Sequence, residues 1–318
     1  MPIHDLGYRP WQGPLIPQIA RFWVITQTGM RLAWRNAWLR RMLLFSWLPA
    51  VYFAGLLLVY EQIQANTPLN RTVLPWLREI PFSYDRHMVW ACLLWVYFRY
   101  PQLIVMLLVI GQIAPALVAQ DVRTKGFLLY FSRPLARFEY VLGKMAIVWT
   151  YTLLITALPA LVLYVVGVML SPDLRVVLVT WDLPLRIVAA SAVLMIPTTA
   201  VALALSSLTS ETRYATFAWF AFWALGWVAY QMLLINVPAS ANPYKWSIVS
   251  MYHTLGTLQY WVFGLKGALS GLIPATPAIA LLPAPSQVQI WPAALQVTAI
   301  TLVALAILFR RVSSPMRV

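Results

Sequence analysis

"LIVMLLVIGQIAPALVAQDVRTKGFLLYFSRPLARFEYVLGK", residues 103–144, joins two physically different kinds of chain. From Leu103 to Gln120 there is no charge at all. A helix of that length, at about 1.5 Å of rise per residue, comes close to the ~30 Å of a bilayer's hydrocarbon. From Asp121 onward Arg123, Lys125, Arg133, Arg137, Glu139 and Lys144 surround a short apolar core, and the chain turns greasy again at Met145. The first part can satisfy its backbone hydrogen bonds only within itself, as lipid requires, and the second belongs in water or at its edge. This alternation predicts an all-α polytopic membrane protein.

The rest of the 318 residues repeats the pattern. With 61% hydrophobic and 10% charged residues, and a mean hydropathy of +0.74, the chain has too little polar surface to coat a soluble globule. Further spans are predicted at Met42–Tyr60, Met145–Leu170, Arg186–Leu208, Tyr214–Ile235 and Ile290–Phe309, making six transmembrane helices. Residues 88–98, "MVWACLLWVYF", cover only about 17 Å as a helix. They fit an outer-surface helix or the outer end of a long, broken second span. Residues 255–273 are long enough to cross but contain Gln259, Lys266 and several glycines. Counted as a span they would put Arg310, Arg311 and Arg317 outside, against the positive-inside rule. They are therefore expected to be surface-lying or re-entrant, within an extended outer segment between the last two spans.

Six spans with the N-terminus inside gather most of the Lys and Arg on one side. The expected location is the cell (inner) membrane, multi-pass, with N- and C-termini cytoplasmic. The first long apolar run begins only at Met42, so no cleaved leader is expected. Two regions follow: 1–41, a cytoplasmic N-terminus with an interfacial elbow helix, and 42–318, a six-helix transmembrane domain. In the elbow, Ile16–Arg41, helical periodicity puts Arg21, Thr28, Arg31 and Arg35 on one sector and Ile19, Trp23, Met30, Trp34 and Trp38 on another. Arginines facing phosphates and tryptophans facing acyl chains describe an amphipathic helix in the inner headgroup layer, with membrane lipids as partners. Pro49, Pro115, Pro159 and Pro197 fall inside spans, where each removes a donor and favours a kink.

Several function classes are disfavoured. The net charge of +14 is spread over the ends of apolar runs and not gathered on a soluble face, so nucleic acid is not an expected partner. Cys92 is the sole cysteine, which excludes an intrachain disulfide or a cysteine-built metal site. His4, His87 and His253 form no metal-binding pair, and the acids are scattered, so neither catalytic nor metal residues are assigned. Gly143-Lys144 is followed by Met145 and lacks the spacing of a phosphate-binding loop, so no cofactor is expected in this chain. The span centres are nearly free of ionisable groups, which disfavours coupling to protons or sodium through a buried carboxylate.

Residues 121–144 connect two spans with more than 20 residues where 2–8 would suffice. Gly126 leads an apolar patch to Phe131, and Ser132-Arg133-Pro134 forms a turn that can start a second helix with Pro134 at its first position and Ser132 available as a cap. The product is a hydrophobic knob on a cationic base, suited either to a groove on a soluble partner or to the headgroup layer.

Asp121, the glycine-led Gly126–Phe131, "SRP" at Ser132–Pro134, R-x-E-Y at Arg137–Tyr140 and "GK" at Gly143-Lys144 together resemble the permease subunits of ABC-2 type ABC transporters. The resemblance implies six spans, cytoplasmic termini, an N-terminal elbow and a cytoplasmic coupling helix in this first loop. It also implies a separate cytoplasmic ABC ATPase subunit pair, carrying ATP and Mg, and a second permease copy or related permease. The ATPase-facing contacts would then be Phe127, Leu128, Tyr130, Phe131, Arg133 and Arg137. Many relatives carry an acid in the glycine-led segment, where this chain has Leu128 and Leu129. Glu211 and Arg213 in the second loop would add contacts or form a solvated turn. The substrate path would run between subunits along the second and fifth spans, past Tyr230 and Gln231 or the face of Trp219, Trp223 and Trp227. The four-residue spacing of those tryptophans equally fits helix or lipid packing. Competing readings are a polytopic enzyme acting on lipids through His253, Tyr252 and Lys245, and a non-transporting scaffold.

Overall fold

Proline and polar side chains decide where the long helices of this protein break. The computed structural model describes residues 21–64, 85–131, 135–171, 173–236, 243–265 and 290–313, and among these no strand forms. Six helical runs are long and apolar enough to cross a membrane: Ala37–Gln62, Arg86–Arg123, Arg137–Leu170, Leu183–Ser207, Thr212–Ile235 and Ile290–Ser313. In chain order the helices are α1 (Arg21–Trp34), α2 (Ala37–Phe45), α3 (Leu48–Gln64), α4 (Arg86–Tyr97), α5 (Leu103–Arg123) and α6 (Gly126–Phe131). They continue with α7 (Arg137–Ile155), α8 (Ala157–Leu170), α9 (Val176–Val179), α10 (Leu183–Ser207), α11 (Thr212–Asn236), α12 (Met251–Val262) and α13 (Ile290–Ser313). Successive spans run in opposite directions, which gives the bundle an elbow end, with α1 and α6, and a far end.

The second span is longer than its Leu103–Gln120 core. Residues 88–98 belong to α4, which a π-helical turn at Phe98–Gln102 joins to α5. Pro101 lies inside that turn and has no N–H to give, so the hydrogen-bond register widens there without ending the helix. The freed geometry is used. The Gln102 amide, wholly buried, donates to the Ser46 carbonyl (3.1 Å), which lies between α2 and α3, and contacts the Tyr97 hydroxyl. Pro49 and Pro159 sit in the first turns of α3 and α8, just after breaks in spans 1 and 3, where a missing donor costs little. Pro115 and Pro197 are the two of the four expected kink sites that lie well inside continuous helices. At Pro115 the buried Ser206 hydroxyl of α10 donates to the Pro115 carbonyl (2.8 Å) and accepts from the Ala119 amide (3.0 Å). A serine from one span thus repairs the backbone of another, as lipid-embedded helices require.

The expected elbow segment is not one unbroken helix. It breaks at Arg35-Asn36, where the Asn36 side chain caps α2 by accepting from the Trp38 amide (3.0 Å), and span 1 begins at Ala37, not Met42. Trp23, Trp34 and Trp38 are exposed from the chain. A third face of α1, neither arginine nor tryptophan, packs on α7. Thr26 is fully buried and its hydroxyl points to the Phe22 and Gly143 carbonyls, 2.9 and 3.2 Å away, while the Tyr151 hydroxyl donates to the Met30 carbonyl (2.8 Å). Gly143 makes the approach possible: a Cβ there would lie 3.1 Å from both the Ile25 side chain and the Phe22 carbonyl oxygen. Gly143→Leu is therefore expected to push α1 off α7 and cost about 1–3 kcal/mol, read as a lower Tm in detergent. A Tm equal to that of the parent would show that the two helices do not meet there.

Charged locks close the far end. Glu61 is wholly buried one residue beyond the expected end of span 1, held by Arg86 Nε (3.0 Å) and Trp90 Nε1 (2.8 Å); the Arg86 Nη2 also reaches Ser171. Asp182 accepts from Arg186 Nε at 2.6 Å and lies 2.8 Å from His87 Nε2. Burial raises the Asp182 carboxyl, but the hydrogen bonds and charges of His87 and Arg186 outweigh it and hold the group below the usual carboxylate range. Arg186 Nη1 also donates to the Val262 carbonyl at the end of α12 (3.1 Å), beside Gly264 at φ +70°.

Residues 251–262 form a helix too short to cross, about 18 Å. It is inserted among spans and not laid on the surface: Leu255, Gly256, Gln259 and Tyr260 are buried. The remainder of the expected 255–273 segment beyond Leu265 lies outside the described residues. Spans 2 and 4 form the centre of the bundle, and spans 5 and 6 carry the most exposed faces.

Candidate functional site

The loop between spans 2 and 3 folds back on the network that roots it. After α5 ends, Lys125 takes the left-handed conformation at φ 52° and turns the chain into α6. The Asp121 carboxylate, on the last turn of α5, accepts from the Tyr140 hydroxyl (2.6 Å) and pairs with Lys144 Nζ (2.7 Å), both on α7. Lys144 Nζ also donates to the Leu117 carbonyl (2.7 Å). The ammonium lies 5.4 and 5.9 Å from the ring centres of Tyr140 and Tyr130, within cation–π range. The side chains of Asp121 and Lys144 are only 15% and 9% exposed, so the pairing offsets part of the cost of taking them out of water. The pair ties span 2 to span 3 at the root of α6.

The six residues of α6 do not all face outward. Phe127, expected among the outward contacts, is 5% exposed, with its ring centre 5.5 Å from that of Tyr140. In the single chain the Tyr140 ring covers one face of Phe127. Tyr130 is half-buried, its ring 5.4 Å from Tyr140. Leu128 and Phe131 lie on α6, but their side chains, like all of Arg133, are outside the described residues. Helix α7 begins at Arg137 and not at Pro134, because Glu139 reaches back to accept from the Ala136 amide (2.8 Å) and sets the first turn there. Arg137 is exposed, with Nη1 3.3 Å from the Ser313 hydroxyl at the end of α13. In the second loop Glu211 is half-buried, its amide donating to the Thr209 hydroxyl (3.1 Å), and Arg213 is exposed over the Tyr214 ring.

The aromatic face of span 5 splits. Trp219 and Trp223 pack edge to face at 5.6 Å and are buried, and Trp219 Nε1 donates to the Leu107 carbonyl of span 2 (3.0 Å). Trp227 is 46% exposed, and Gln231 is half-buried. Tyr230 turns inward and lies on His253 of α12, ring centres 3.8 Å apart. The guanidinium of Arg99, in the π turn, stacks on the Tyr252 ring at 3.7 Å and donates to the Tyr252 carbonyl (2.6 Å). Gly256 leaves room for it: a Cβ there would meet Arg99 Cζ at 2.5 Å. Burial and the nearby Arg99 charge push the His253 imidazole down to about 3. The His253 ring is packed between those of Tyr230 and Tyr252. The side chain of Lys245 lies outside the described residues. Arg99, buried within span 2, is the ionisable residue that the shorter reading of that span left at its edge.

A search among curated proteins finds no match to this sequence. The model of one family, described as ABC-2 family transporter protein, matches residues 79–312. The chain belongs to the ABC-2 transporter family. The match covers the spans from the second to the sixth and includes the whole Asp121–Lys144 network. As an ABC-2 family member with six apolar crossing helices, the protein is an integral, multi-pass membrane transport component. Among the described residues no cluster of His, Cys, Asp or Glu has the arrangement of a metal site.

Proposed function

We propose that the chain is the permease subunit of an ATP-driven exporter, in which ATP and Mg are held by a separate cytoplasmic ATPase pair and α6 is the coupling helix. The observation that carries this reading is the Asp121–Tyr140–Lys144 network. A force applied to α6 passes through Phe127 and Tyr130 to Tyr140, and from there to the ends of two spans at once. A loop that merely lay on the headgroups would have no use for a buried ion pair at its root, whose desolvation has to be offset by good geometry. In this reading the elbow end faces the cytoplasm of the cell that holds the protein in its inner membrane. Leu128, Phe131, Arg133 and Arg137 form the ATPase-facing surface with the exposed part of Tyr130, and Phe127 is the positioning residue beneath them. A second copy or related permease completes the transporter, with the substrate path between subunits along spans 2 and 5.

The test is co-purification with the ATPase. Leu128→Asp and Arg133→Glu are expected to cut retention of the ATPase about tenfold or more while the permease still elutes as a monodisperse species, since burying an unpaired charge or reversing one at a desolvated contact costs several kcal/mol. Retention at the parent level in both variants would overturn the assignment of α6 as the docking element.

A further inference from the structure

An open groove of about 470 Å³ runs between the end of α1 and the surface of α7. Arg31, Trp34 and Arg35 form its rim, and Met30, Thr150, Tyr151 and Leu154 form its floor. The hydroxyls of the floor are already engaged within the chain: that of Thr150 donates to the Ala146 carbonyl (2.8 Å) and that of Tyr151 to the Met30 carbonyl (2.8 Å). What the floor offers a ligand is therefore apolar contact. The rim is the opposite. Arg31 and Arg35 are exposed, and neither guanidinium has a hydrogen bond or ion pair among the described residues. They stand four residues apart on one helical face, a spacing at which like charges repel. From residue 21 to residue 60 the chain contains no acid, and the one acid of α7, Glu139, caps that helix's first turn, about 18 Å along the axis from Tyr151. Beyond Leu154 the exposed face of span 3 stays apolar, with Leu158, Val162 and Val165 of α8 leading away from the elbow end.

We infer that this groove holds one anionic phospholipid, with its phosphate between Arg31 and Arg35 and its acyl chains on Leu154 and the apolar face of α8. The phosphate oxygens accept from both guanidinium forks and relieve the repulsion between them. A zwitterionic head would bring an ammonium to the same two cations, whereas an anionic head adds no positive charge. The order of the parts matches a lipid standing in the leaflet: the head lies at the arginines of the elbow, and the chains follow span 3 toward the far end. Trp34, 51% exposed between the two arginines in sequence, has the amphipathic ring that suits the border between head and chain. The inference does not depend on the ATPase or on the direction of transport.

Native mass spectrometry of the full chain, titrated with dioleoyl phosphatidylglycerol or with dioleoyl phosphatidylcholine, tests it, since the two lipids differ only in the head. The first phosphatidylglycerol is expected to bind about tenfold or more tightly than the first phosphatidylcholine. Arg31→Gln and Arg35→Gln should each weaken it about fivefold, the usual contribution of one basic residue beside anionic lipid. Arg40→Gln combined with Arg41→Gln removes two exposed arginines outside the groove and should leave the first affinity within about twofold. Thr150→Trp, which keeps every charge but fills the floor, should weaken it as well. Equal affinity for the two lipids overturns the inference, and so does an unchanged affinity in Thr150→Trp or a loss in the Arg40 and Arg41 variant as large as that at Arg31 and Arg35. Displacement of the lipid by an equal concentration of inorganic phosphate overturns it too, because the head alone would then be the ligand. So does disulfide formation between two copies through Thr150→Cys in a Cys92→Ser background, because a second chain would then cover the groove.

Discussion

Replacing Glu61 with alanine is expected to lower the Tm of the purified protein by roughly 6–10 °C. The carboxylate is wholly buried at the junction of spans 1 and 2, with the Arg86 guanidinium and the Trp90 indole N–H as its partners. Its removal strands two donors, one of them charged. Breaking one side of such a pair costs about 3–5 kcal/mol, and the low end applies here because the Arg86 side chain keeps 24% exposure and can be partly rehydrated. Glu61→Gln keeps shape and acceptor but not charge, so it should fall between the alanine variant and the parent. Fluorescence-detected size-exclusion after a temperature series checks both. An unchanged midpoint for Glu61→Ala would mean that the lock between the first two spans carries no stability.

Lys144→Met is expected to have the second large effect, and its distinguishing sign is rescue. Alone, it leaves the Asp121 carboxylate with the Tyr140 hydroxyl but no counter-charge in a site 15% exposed, a loss of about 3 kcal/mol. Adding Asp121→Asn removes the stranded charge, and most of the lost stability should return, because a pair replaced on both sides is often close to neutral. A double-mutant cycle should therefore give a coupling of about 1–3 kcal/mol, and strictly additive single effects would refute the pairing. If α6 transmits force through this pair, the rescued double variant regains its Tm while ATP hydrolysis by the complex with its ATPase stays insensitive to transport substrate. Stability and coupling then separate, as they could not for a residue that only holds the fold.

What could be read from the sequence follows from how far each signal reaches along the chain. Hydrophobic length is a local property, and so the six crossings were visible, while the starts of spans 1 and 3 lie earlier, at Ala37 and Arg137, where Asn36 and Glu139 supply caps. The resemblance in Asp121, Tyr140 and Lys144 was visible too, but their mutual contact was not, because α5 and α7 are brought together by the fold across the α6 turn. The burial of Phe127 was hidden for a related reason: its cover is an aromatic ring from the next helix, which the loop's own sequence does not announce. The docking face of α1 escaped notice because Thr26 and Gly29 carry little hydropathy. Their importance lies in being small opposite Gly143 and Ile147. Residues 88–98 fit either an outer-surface helix or the outer end of a broken second span, and that the join is a π turn bonded to Ser46 depends on tertiary partners.

Elbow helix α1 rests on Gly143, the neighbour in sequence of the lysine that anchors α6. Were α1 to lie at the bilayer surface, as its arginines and tryptophans lead one to expect, it would be a float whose height follows the thickness and lateral pressure of the lipid around it. Through its contacts with Gly143, Ile147 and Tyr151 such a float would be geared to the root of α6, so thinning the bilayer would tug from the membrane side on the same lever that a docked protein would press from the water side.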